Sequence, residues 1–160
     1  MSVISNPSSS FPTPSRRTSG VAGSLETYVA PVGRLLLSLI FVLSGFGKFA
    51  QFSTMVGFAQ SKGMPAPQAA IAIAAVIELV GGLVLLVGFK ARWAALVLTI
   101  FLIPTTLIFH NFWSVADPMQ HQDQFAHFLK NVAIIGGLLT VVAHGAGGLS
   151  LDHARSKHDN

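Results

Sequence analysis

The chain has 160 residues, of which 51% are hydrophobic and 10% charged, with a formal net charge of +4 and a mean hydropathy of +0.62. Soluble domains are about one-quarter charged, so this composition excludes an ordinary soluble domain and points to a membrane protein. Cysteine is absent, which excludes structural disulfides, a thiol nucleophile and a resident CxxC redox pair.

Residues 1–28 are rich in Ser, Pro, Thr and Gly and read as a disordered polar tail. Ser15-Arg16-Arg17 is like the start of a twin-arginine export signal. The apolar stretch behind it is long enough to span and lacks a small-residue cleavage site, so the arginines are read as part of the tail. Four apolar stretches follow, over residues 29–46, 69–89, 93–112 and about 128–143. Each is near the ~20 residues that cross a ~30 Å hydrocarbon layer, and the last has room to lengthen toward His127. A backbone in lipid must satisfy its own hydrogen bonds, so the stretches are expected to be helices. The expected fold is all-α: a four-transmembrane-helix bundle over 29–146, with a polar C-terminal tail over 147–160. The Gly81-Gly82 and Gly136-Gly137 pairs lie inside apolar segments and match no phosphate-binding loop, so they are read as points of close helix packing.

With the N-terminus inside, Arg16, Arg17, Lys90, Arg92, Arg155 and Lys157 fall on the cytoplasmic side, against Lys48, Lys62 and Lys130 opposite. The positive-inside rule then predicts cytoplasmic termini for a multi-pass protein of the bacterial inner membrane. The isoelectric point near 10.0 comes from basic residues spread over short loops without a patch of interleaved aromatics, so no nucleic-acid partner is expected.

In the first helix Arg34, Ser38, Phe41, Gly45 and Lys48 follow steps of four and three and form one stripe, expected to face the bundle interior. Arg34 and Lys48 have a second reading, in which their long stems snorkel to opposite interfaces. In the second helix Glu78 falls near the centre of Ala70-Ala74-Glu78-Gly82, where small residues admit a neighbouring helix. A carboxylate there cannot snorkel. It is either protonated or paired with Arg34, Lys48 or His110, as a structural pin or as a group that handles protons or a ligand. In the third helix Pro104 removes a backbone hydrogen bond and is expected to open a kink, with Thr99, Ile103, Thr106, His110 and Trp113 on one face. His110, Asn111 and Asn131, together with Lys48, are candidates for a polar pocket on the outer side. Trp113 reads as an interfacial belt residue, and His121 and His127 as solvated loop residues. The histidines show no recurring ligand spacing, so no metal site is expected.

Arg34, Ser44-Gly45-Phe46-Gly47-Lys48, Lys62-Gly63-Met64-Pro65, the run from Glu78 to Gly88, and Arg92-Trp93-Ala94-Ala95 together resemble the DoxX family of small four-helix membrane proteins. His110-Asn111-Phe112-Trp113 and Phe128-Leu129-Lys130-Asn131 with Gly136-Gly137 are similar to a common branch of it. The resemblance covers residues 30–152. Its relatives include membrane subunits associated with quinone-linked oxidation of sulfur compounds and with oxidative-stress complexes. Carried over by position, the characteristic polar residues are Arg34, Lys48, Glu78, Arg92 and His110.

Three readings of function follow. As the membrane subunit of an oxidoreductase, the bundle takes a quinone from the membrane as cofactor. Lys48, His110, Asn111 and Asn131 are then the binding residues, Glu78 and His110 the catalytic candidates, and a partner subunit carries the redox centre. As a solute or proton carrier, it has a continuous polar route through Arg34, Glu78 and His110. As a non-catalytic scaffold, it has paired charges at Arg34, Glu78 and Arg92 and a tightly packed interior. The lipid bilayer is the expected surrounding in all three, and a homo-oligomer stays open.

Overall fold

Every described residue of the computed structural model that is in regular structure is helical; residues 20–158 are described, with side chains from 28 to 157. The helices are α1 (Gly20–Ala50), α2 (Phe52–Ser61), α3 (Pro67–Val87), α4 (Ala91–Phe109), α5 (Pro118–His144) and α6 (Leu151–His158), with a 3-10 turn at Phe112–Ser114. Four spans are long and apolar enough to cross a membrane: Tyr28–Ala50, Pro67–Val87, Ala91–Ser114 and Pro118–His144. Large apolar side chains such as Leu36, Ile73, Ile100 and Leu139 are exposed along them. Water would penalise such an exterior and hydrocarbon accepts it.

The boundaries differ from the hydropathy reading in three places. Residues 1–19 of the expected tail lie outside the described residues, and 20–28 continue α1. The fourth span begins ten residues before Phe128: Asp117 Oδ1 accepts from Gln120 N at 2.9 Å and Pro118 takes the first helical turn. The short α2 and α6, neither expected, cover opposite ends of the bundle.

α3 stops where Gly88 turns left-handed (φ +67°), and Gly88 N and Phe89 N donate back to Leu85 O and Val84 O. This 5→2 and 6→1 pair is a Schellman closure. The α4 start is capped from a distance, with Asp152 Oδ1 accepting from Lys90 N at 2.7 Å and Oδ2 from Ala91 N at 3.0 Å. α4 then runs unbroken through Pro104. The hydroxyls of Thr105 and Thr106 donate to Phe101 O and Leu102 O on the same stretch.

α1 packs mainly on α3, and α4 on α5, with α3 beside α4. The α1–α3 approach is very close: a methyl group on Gly45 would lie 2.7 Å from Leu79 N, and one on Gly82 would lie 3.0 Å from Val42 N. The buried side of α3 is Ile71, Ala75, Glu78, Gly82 and Leu85, while Ala70 and Ala74 are half-buried one step round. Phe41, Leu85, Leu98, Leu102 and Leu138 form the centre of the core.

Candidate functional site

The close approach at Gly45 is what brings Lys48, one turn further along α1, to Glu78. Lys48 Nζ lies 2.6 Å from Glu78 Oε2, with the two side chains 18% and 6% exposed, and donates also to Ser44 Oγ at 2.8 Å. An ammonium has three N–H groups, so one is left over. The described hydrogen bonds engage only Oε2 of the carboxylate. Lys48 is therefore Glu78's partner. Arg34 lies fourteen residues earlier on α1, about 21 Å along the axis at 1.5 Å per residue.

Two adjoining cavities meet at Lys48, and Glu78 lines only the smaller of them. The larger, about 350 Å³, runs between α2, α3 and α4 and is walled by Met55, Phe58, Ile71, Ala74, Phe101 and Pro104. The smaller, about 170 Å³, is mixed in character, with Ser44, Glu78, Lys130 and Asn131 beside apolar Phe41 and Leu102 in its lining. Lys48, Thr105 and His110 line both. The short α2 contributes directly to the larger one, where Phe58 stacks on Phe109 at 5.7 Å.

His110 sits just past the end of α4, its backbone N–H donating to Thr106 O. Its Nδ1 is 3.0 Å from Gln124 Oε1. With that carbonyl as acceptor, Nδ1 carries the proton and Nε2 is the basic nitrogen of the neutral ring. The ring also stacks on His127, centroid to centroid 5.2 Å. Lys130 Nζ donates to His127 Nδ1 at 2.8 Å, and His127 Nε2 is 3.6 Å from Asp123 Oδ1. His127 is thus a helical residue ordered against the site. His121 meets Phe112 edge-on at 5.5 Å.

The remaining expected site residues divide. Asn131 is buried and donates to Thr106 Oγ1 at 3.0 Å, so it joins α5 to α4 in the wall of the smaller cavity. Asn111 lines neither cavity, and its buried Oδ1 has no hydrogen-bond partner among the described residues. The expected face of α4 is corrected as well. Thr99, Leu102 and Thr106 are buried, whereas Ile103 and Trp113 point outward, 47% and 57% exposed. Arg34 is buried at the opposite end and donates to three carbonyls, those of Leu86, Ala146 and Leu149. Arg92 is exposed and makes no ion pair among the described residues. Gln124, Met55 and Phe58 were not anticipated, because they lie on segments too polar or too short to register as spans.

A profile of the DoxX family matches residues 29–111, just over half of the chain. The protein belongs to the DoxX family. It is 30% identical over 130 residues to the inner membrane protein YphA of Escherichia coli K12, covering 81% of this chain and 92% of that one. It is 30% identical over 134 residues to the inner membrane protein YqjF of the same organism, covering 83% and 96%. It also matches the ER-derived vesicles protein ERV29 of Saccharomyces cerevisiae at 26% over 128 residues, 80% of this chain but 34% of that one. No solved structure matches the chain. Like its E. coli relatives, this DoxX protein is a multi-pass protein of the inner membrane. The DoxX match includes Arg34, Lys48, Glu78 and His110, and stops before the α5 residues that complete the site.

Proposed function

We propose that this DoxX-family protein binds a quinone ring beside the Lys48–Glu78 pair and serves as the membrane subunit of a quinone-linked oxidoreductase. The observation that carries the reading is the 350 Å³ apolar cavity that ends on Lys48 and His110. Ligand sites are about 300–1,000 Å³, apolar, with a few convergent polar groups. A flat ring fits between Phe58, Phe101 and Met55, with its oxygens toward the polar end. A bound quinone would supply the two-electron chemistry, and a partner subunit the electrons.

The chain's own residues supply placement and protons. The spare Lys48 N–H is a donor to a ring oxygen, and Glu78, its partner, exchanges protons from the adjoining smaller cavity. His110, its Nδ1–H directed to Gln124, keeps a basic Nε2. An acid–base pair within reach of the reacting oxygen is what general acid–base chemistry needs. The scaffold reading requires a packed interior, and these cavities argue against it. The carrier reading requires a continuous route. The polar groups instead fall at opposite ends, with Phe41, Leu98 and Leu138 buried between them.

Melting temperature against ubiquinone and menaquinone analogues tests the reading. A ligand at 100 times its Kd adds about 2.7 kcal/mol, a shift of roughly 5–10 °C for a protein of this size. His110→Ala and the cavity-filling Ala74→Phe are expected to remove the shift. No shift with any analogue, or one retained in both variants, overturns the reading.

A further inference from the structure

At the other end of the bundle α1 and α5 part around a cleft of about 250 Å³ whose lining includes Arg34, Val29, Leu37, Val141 and His144. Arg34 is only 5% exposed. Its three bonds all go to carbonyls, which accept hydrogen bonds without carrying a net charge. A guanidinium has five N–H groups, so two are left over. The one carboxylate at this end among the described side chains, Asp152, gives both oxygens to the α4 backbone N–H groups; it attracts Arg34 through space but makes no ion-pair contact with it, so it offsets the buried charge only in part.

A second guanidinium lies beside the cleft. A methyl group on Gly145, in the cleft wall, would lie 3.2 Å from Arg92 Nε. Arg92 has no ion pair among the described residues, so its guanidinium is available at the rim. His144 turns Nδ1 to Thr140 O at 3.0 Å, which leaves Nε2 outward. A buried cation beside an apolar wall is costly until an anion meets it. Depth decides which anion. Arg34 lies five residues past Val29, where the apolar stretch of the sequence begins, about 8 Å along the helix. The head-group layer is roughly 5–8 Å thick on each side, within reach of a long arginine stem.

We propose that this cleft binds the phosphate of an anionic phospholipid, with Arg34 and Arg92 as its cationic contacts and an acyl chain along Val29, Leu37 and Val141. Basic pockets between transmembrane helices recognise such head groups. The site is independent of the quinone reading and lies at the other end of the molecule.

The test is melting temperature in micelles doped with phosphatidylglycerol, with phosphatidylcholine, or with neither plus glycerol phosphate. Arg34 staples three segments, so its variants are avoided. Gly33 lines the cleft and a Cβ on it would meet nothing within 4 Å, so Gly33→Leu adds bulk at the cleft without a backbone clash. Arg92→Gln removes the rim charge. Phosphatidylglycerol is expected to raise the wild-type melting temperature by several degrees over phosphatidylcholine. Both variants should lose at least half of that difference while melting near wild type in phosphatidylcholine. Equal stabilisation by the two lipids, or a difference retained in both variants, overturns the proposal. Glycerol phosphate acting as strongly as the lipid overturns the lipid assignment in favour of a soluble phosphate.

Discussion

Glu78 is mid-helix and almost fully enclosed, so its charge cannot leave the Lys48 contact for water. Removing one partner of a buried pair leaves the other uncompensated and costs about 3–5 kcal/mol, whereas replacing both with apolar residues is often near neutral. Glu78→Gln is therefore expected to lower stability sharply, and Lys48→Met with Glu78→Leu to recover most of the loss. The same cycle run with Arg34→Gln should show coupling near zero, because Arg34 binds carbonyls at the far end. Denaturation of the single and double variants measures both couplings; a strong Arg34–Glu78 coupling would contradict the pairing. The inward stripe from Arg34 to Lys48 was legible because step-of-four spacing alone fixes a helix face. Glu78's partner was not, because three cations satisfied the same rule and the choice rests on the register of α1 against α3 at Gly45. Asn111 and Asn131 looked alike in sequence for a related reason: an amide's usefulness depends on whether its segment turns it toward the cavity.

The α1–α3 contact is a backbone contact, which gives its glycines unequal value. Gly45→Ala places a carbon against Leu79 N and Ala75 O, atoms that cannot yield without moving a helix, so a loss of about 1–3 kcal/mol is expected from overpacking. Gly136→Ala meets nothing within 4 Å and should melt within error of wild type, although both glycines lie in apolar helices. Thermal denaturation of the two variants side by side decides this, and equal losses would count against the close approach. α6 offers a different case. Asp152→Ala removes the cap on the α4 start and is expected to cost about 1 kcal/mol, read as a lower melting temperature that Asp152→Asn partly restores. The four spans were legible because bilayer thickness sets their length and hydropathy reveals it. α2 and the first ten residues of α5 were not, since they are short or polar and their helicity comes from caps and packing. Asp117-Pro118-Met119-Gln120 did carry a helix-start signature, an Asp cap with Pro at the first position and Gln three residues on.

Four spans return the chain to the side on which it entered, so the Arg34 end with α6 and the His110 end with α2 face opposite compartments. Charge then predicts which is which. Lys90, Arg92, Arg155 and Lys157 lie at the Arg34 end, and Arg16 and Arg17 precede α1 in the sequence. At the His110 end Lys48 is bound to Glu78, leaving Lys62 and Lys130. The excess of basic residues predicts that the Arg34 end is cytoplasmic, in which case the proposed quinone site opens toward the periplasmic half of the bilayer. The absence of native cysteine makes labelling unambiguous. Gln122→Cys, exposed in the first turns of α5, should react with a membrane-impermeant maleimide in cells whose outer membrane alone is permeabilised. Lys157→Cys, exposed on α6, should react only after the inner membrane is opened. The reverse pattern would invert the topology and move the proposed proton exchange at His110 to the cytoplasmic side. It would also place the phospholipid cleft in the outer leaflet of the inner membrane. The two sites are thus tied through one orientation, and a single labelling experiment assigns a compartment to each.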